Sequence, residues 1–129
     1  MITGFDTETA PLTSDELIAA ETVAFIIKGA VGEDHAVRNR DIASICKDKG
    51  VSTNLPEARI RKIINHLCHH RMPNICATSR GYFLPKDQHE MERYLISLKE
   101  RIDSITARYD KAKEYYNSKL GSSQQKLSV

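Results

Sequence analysis

The chain has 129 residues, 28% charged and 40% hydrophobic, the size and balance of one ordinary globular domain. Aromatics make up 6% with no Trp, which argues against a thick sandwich-type core, and no apolar run nears the ~20 residues that a bilayer-spanning helix needs. The formal net charge of +2 conceals a segregated one: residues 1–35 carry seven acids against one base (−6), residues 36–86 ten bases against three acids (+7), and residues 87–129 a surplus of one base.

The opening Met1–Asp6 has neither the basic nor the apolar region of a secretory leader, so the three cysteines, an odd number, are expected as reduced thiols in a cytoplasm. Residues 1–12 are polar and end in Ala10-Pro11-Leu12, the pattern of a flexible arm. Thr13-Ser-Asp-Glu16 has the S/T-x-x-E form of a capping box and predicts a helix to about Lys28. Its expected apolar face is Leu17, Ala20, Val23, Ala24 and Ile27, widened by Phe25 and Ile26, and Gly29 and Gly32 end it. Ala36-Val37 reads as a short extended stretch. Asn39 is the expected N-cap of a second helix to about Lys49, with Asp41 in its first turn and Ile42, Ala43, Ile45 and Cys46 inward. Gly50 stops it, and Val51–Asn54 form a turn.

Pro56 suits the first turn of a third helix, whose stripe Ile60, Ile63, Ile64, Leu67 has i, i+3, i+4, i+7 spacing. Pro73-Asn74 breaks it. Ile75–Thr78 and Tyr82–Leu84 around Ser79-Arg80-Gly81 predict a β-hairpin, closed by Pro85. Asp87–Glu90 then caps a long helix. From Met91 its apolar positions alternate in steps of four and three through Leu95, Leu98, Ile102, Ile105, Tyr109, Ala112 and Tyr116, a heptad seam. At 1.5 Å per residue a helix over 88–119 runs about 48 Å. Residues 121–129 have the composition of a disordered tail. The expected division is an arm (1–12), a domain (13–86), an assembly helix (87–120) and a tail (121–129).

Helix, short strand, helix, turn, helix and hairpin is the order of a winged helix-turn-helix. The segment Arg59-Ile-Arg-Lys-Ile-Ile-Asn-His-Leu67, followed by Ile75 and by Arg80-Gly-Tyr-Phe-Leu84, resembles winged-helix domains of the biotin-repressor type, especially the small ones encoded by phages and prophages. The resemblance covers residues 14–86 and implies a mainly α fold with a small β-hairpin wing, binding double-stranded DNA as a transcriptional regulator or replication-associated protein. In such folds the second helix of the motif enters the major groove. Removing its core stripe leaves Glu57, Ala58, Arg59, Arg61, Lys62, Asn65, His66 and His69, of which Arg61, Lys62 and Asn65 suit bases or phosphates; Arg59 is expected with them on DNA, with pairing to Glu57 or packing against the core as its alternatives. Thr53 and Asn54 with the helix N-terminus suit a phosphate, Arg80 marks the wing tip, and Arg38 and Arg40 flank the second helix. Glu57 sets an acid at the groove-entering end.

The seam of Leu95, Leu98, Ile102, Ile105, Tyr109, Ala112 and Tyr116 predicts a homodimer, or a helix that binds another protein. Tyr109 and Tyr116 are large for a two-stranded core, which leaves an antiparallel or loosely packed pairing open. An adaptor or phage-encoded inhibitor, with the winged domain as scaffold, is the alternative function. His66, Cys68, His69, His70 and Cys76 cluster in sequence, with His66 and His70 at i, i+4, yet no C-x-x-C pair accompanies them, and the expectation is no metal and no cofactor. No P-loop, G-x-S-x-G or H-E-x-x-H occurs, so no enzyme is expected.

Overall fold

A computed structural model describes residues 10–120. It is mainly α with a small β-hairpin and a long C-terminal helix. Chain order is α1 (Ser14–Lys28), a 3₁₀ turn (Glu33–His35), α2 (Asn39–Asp48), α3 (Glu57–His70), β1 (Cys76–Thr78), β2 (Gly81–Phe83) and α4 (Gln88–Lys119). One compact unit ends at Met91 and a second begins at Glu92. The expected tail and most of the expected arm lie outside the described residues.

The core of the first unit is built by α1, α2 and α3. Ile27, Ile42, Ile60, Ile63 and Leu67 are fully buried, and Phe83 joins them from the hairpin. Burial of each such side chain contributes roughly 1.5–3 kcal/mol. All four predicted stripe residues of α3 are buried. In α2 only Ile42 and Cys46 are, with Ala43 and Ile45 packed at the margin. The residue before the α2 helix is Arg38 rather than Asn39, and Asp41 reaches back to accept the Arg38 N–H at 3.2 Å.

The inward face of α1 differs from the expected one. Thr13 forms the capping box with Glu16, accepting the Glu16 N–H at 3.1 Å while Glu16 Oε1 accepts the Thr13 N–H at 2.9 Å. Glu16 and Ala19 are buried, whereas Leu17 is 44% and Phe25 66% exposed. The face turns toward Glu16 because a cation from α3 meets that carboxylate in the interior.

The hairpin pairs Cys76 with Phe83, Ala77 with Tyr82 and Thr78 with Gly81, so Ser79-Arg80 is a two-residue turn. A third rung comes from the extended stretch before α2. The Val37 N–H donates to the Tyr82 carbonyl at 2.9 Å, and the Tyr82 N–H donates to the Val37 carbonyl at 2.8 Å. That close approach requires Gly81, whose φ is +125° and whose absent Cβ would collide with the Val37 carbonyl. Asp87 caps α4 by accepting the Glu90 N–H at 2.8 Å. Buried Glu90 in turn accepts the N–H groups of Glu33 (3.2 Å) and Lys86 (3.0 Å), fastening the 3₁₀ turn to the first turn of α4.

In the second unit α4 continues without a break. Leu95, Ile102, Ile105, Tyr109 and Tyr116 of the seam are 46–64% exposed. No described helix is long and apolar enough to cross a membrane.

Candidate nucleic-acid interface

Three elements meet around Tyr82. The extended stretch at Val37 binds the hairpin through the rung described above, and the chain then turns directly into α2. That turn sets Arg38, Asn39 and Arg40 beside the hairpin, while Glu57 arrives from the start of α3. A cleft of about 430 Å³ lies between them, walled by these residues and by Thr78, Ser79 and Tyr82. Arg61, one turn into α3, stands close enough for its charge to act on the Tyr82 phenol. Burial pushes that phenol up most; a hydrogen bond from Asn39 and the Arg61 charge oppose the rise.

Arg38, Arg40 and Arg61 are exposed, and no ion pair engages them among the described residues. Arg71 and Arg80, by contrast, are each held by an ion-pair partner. Arg38, Arg40 and Arg61 beside a concave wall of amide, hydroxyl and phenol groups form a surface suited to phosphate oxygens. Glu57 opposes them electrostatically, so the cleft wall carries two cations, Arg38 and Arg40, against one anion, with Arg61 nearby. Asn39 Oδ1 is buried in this wall without a hydrogen-bond partner.

The remaining expected contact residues fall in different places. Asn65 is exposed on α3, four residues beyond Arg61, and Lys62 is half-buried. Arg80 sits at the hairpin turn, paired with Asp34 at 2.9 Å, an exposed contact. Thr53 and Asn54 line a separate cleft with Ala43, Ser44 and Lys47, away from the Tyr82 wall. The residue ahead of α3 is Pro56, which supplies no side-chain cap.

Arg59 is corrected: it is not a surface residue. Only 5% of it is exposed, and its guanidinium donates from Nε to Glu16 Oε2 (2.7 Å) and from Nη2 to Glu16 Oε1 (2.5 Å). The carbonyls of Ala10 (2.7 Å) and Pro11 (3.1 Å) accept further N–H groups from it. A cation with that many interior partners is a structural tie between α1, α3 and the segment before α1. The Arg59 guanidinium holds the Glu16 carboxyl well below the usual carboxylate range, down to about 2.

The His66 and His70 rings lie against each other with centroids 4.6 Å apart and planes tilted by 39°. Among the described residues no set of three His, Cys, Asp or Glu side chains gathers in a way that would hold a metal ion. Cys46, Cys68 and Cys76 are free thiols, and burial raises all three, Cys76 to about 11.

Asn39 and Tyr82 are the wall residues that sequence reasoning did not assign to the site. Asn39 read as a helix cap and Tyr82 as a strand residue of the hairpin. The only available signal was their position, one beside Arg38 and Arg40 and the other beside Gly81. The chain matches no family model, and neither the curated proteins nor the solved structures include a significant match to it.

Proposed function

We propose that the first unit is a winged-helix module that binds double-stranded DNA with sequence dependence, acting in a cytoplasm as a small regulator or replication-associated protein. The observation that carries this reading is the convergence of Arg38, Arg40 and Arg61 on the Tyr82 wall, where the hairpin, the α2 start and the α3 start meet. Arg38 and Arg40 take phosphates. The exposed α3 residues Arg61 and Asn65 have the donor and acceptor sets that read guanine and adenine edges in the major groove. The Ser79-Arg80 turn lies on the flanking backbone as the wing. Arg80 exchanges Asp34 for a phosphate at little cost, because an exposed ion pair contributes only ~0–1 kcal/mol. Two copies joined through the α4 seam present two such surfaces to paired half-sites.

The test is a mobility-shift titration on random-sequence and genomic duplexes at two salt concentrations. Three arginines from each of two chains give six phosphate-range contacts, so affinity is expected to fall about 10³-fold between 50 and 200 mM salt. Arg40→Ala with Arg61→Ala is expected to flatten that slope and weaken binding at least tenfold. Retention of wild-type affinity and slope by this double variant overturns the assignment. The exposed α4 seam favours a second reading, a protein-interaction adaptor; salt-independent or absent DNA binding by a well-folded dimer selects it.

A further inference from the structure

The α4 seam is a regular apolar stripe, exposed at Leu95, Ile102, Ile105, Tyr109 and Tyr116, and its flanking charges say how a second copy would lie there. With Leu95, Ile102, Tyr109 and Tyr116 at a positions and Met91, Leu98, Ile105 and Ala112 at d, the e positions are Glu92, Lys99, Thr106 and Lys113, and the g positions are Tyr94, Arg101, Arg108 and Tyr115. In a parallel in-register pair each g residue faces the e residue five positions on in the other helix. Arg108 then meets Lys113 of the second copy, twice by symmetry, and no opposite charges meet. The same arrangement sets Tyr109 on Tyr109 and Tyr116 on Tyr116, with the small Ala112 facing Ala112 between two bulky layers.

Resting on the dimer reading above, we propose that two copies pair antiparallel through α4, centred between Asp103 and Ser104. In this register Ile102 packs on Ile105 of the second copy, Leu98 on Tyr109, and Leu95 on Ala112. Each large residue is matched by a smaller or flexible one, and the layers keep even thickness. Glu92 faces Lys113 of the second copy at both ends. Lys99, held by Asp103 of its own helix at 3.1 Å, faces neutral Thr106. Arg101 facing Arg108 is the one like-charge contact, and the parallel pair has a like-charge contact as well. Sliding one heptad in either direction opposes Lys99 to Lys99 or Lys113, and Arg101 or Arg108 to its own copy. Of these three registers only the centred one brings Glu92 to a base. Charge and size therefore select one arrangement.

The experiment is sedimentation equilibrium on the full chain. Glu92→Lys and Lys113→Glu each replace two attractive pairs with two repulsive ones and are expected to weaken the dimer about tenfold. An equimolar mixture of the two variants is expected to regain wild-type affinity, because every end contact is again Lys against Glu. Mixing changes no fold, so recovery cannot come from altered helix stability. Tightening by Lys113→Glu alone marks the parallel pair, in which that change relieves the clash with Arg108, and overturns the proposal. A dimer that neither substitution moves lies elsewhere and overturns it too. A wild-type chain that stays monomeric at every concentration removes the dimer reading itself, which is a separate failure.

Discussion

Replacing Glu16 by Gln leaves the Arg59 guanidinium in the interior without its counter-charge. The side chains of both residues are only 6% exposed, so water cannot take over the lost interaction. The magnitude follows from two routes. Removing one partner of a buried ion pair costs ~3–5 kcal/mol. Independently, the Glu16 carboxyl lies at about 2 against an ordinary 4.5, and at 1.36 kcal/mol per pKa unit that displacement corresponds to about 3 kcal/mol. The two routes agree within a few tenths at the lower end. For a unit of this size each kcal/mol moves the Tm by ~4–8 °C, so Glu16→Gln is expected to lower it by about 12–24 °C at pH 7.

The pH dependence gives the sharper check. A carboxyl depressed in the folded state contributes stability that is fully present above its unfolded value of about 4.5 and is lost as pH falls through about 2. Wild-type protein is therefore expected to lose about 3 kcal/mol in urea denaturation between pH 5 and pH 2 from this group. Glu16→Gln lacks a titrating group there, and its acid limb is expected to be flatter by that amount. The double replacement Glu16→Met with Arg59→Met, which removes both charges and keeps volume, is expected to recover more than half of the loss. Parallel acid limbs for wild type and Glu16→Gln, or a pH 7 difference under ~1 kcal/mol, refute the reasoning, since either result means that the pair is hydrated in solution.

Gly81→Ala is expected to destabilise the first unit by more than ~2 kcal/mol, because it meets both an unfavourable φ and the Val37 carbonyl. Hydrogen exchange is expected to show faster exchange at the Val37 and Tyr82 amides than at the α3 amides in that variant, and unchanged protection of those two amides contradicts the three-rung hairpin. Among the thiols, Cys68 is half-buried while Cys46 and Cys76 are buried, with Cys76 raised to about 11. Modification by a thiol reagent at pH 8 is accordingly expected to proceed at Cys68 first, and peptide mapping that finds Cys76 labelled first would contradict the packing of β1.

What was legible in the chain depended on how far apart the interacting residues are. The α3 stripe, the Thr13–Glu16 capping box, the hairpin and the α4 span are all encoded within a few residues of themselves, and each is found where the spacing places it. Arg59 was not readable in the same way. It precedes Ile60 on the helix that carries the apolar stripe, and whether an arginine there faces water or the interior is decided by Glu16, 43 residues earlier. The Tyr82 wall is likewise assembled from Val37, Asn39 and Arg61, which no local pattern connects. Hydrophobicity alone points Leu17 and Phe25 inward, whereas the interior position at the start of α1 belongs to the paired Glu16.

The charge segregation along the chain gains a physical explanation from these pairings. Among the described residues, ion pairs tie the acidic first segment to the basic second one: Glu16–Arg59, Glu21–Arg71 at 2.6 Å and Asp34–Arg80. Only the first is buried, so only the first contributes strongly to stability. The other two lie in water, hold their arginines loosely and lower the local positive potential. Of the arginines in the basic segment, those with no ion pair among the described residues, Arg38, Arg40 and Arg61, stand around Tyr82. Their position is a property of the fold, because Val37 pairs with Tyr82 just before the chain turns into α2, and Glu57 at the start of α3 lines the same cleft.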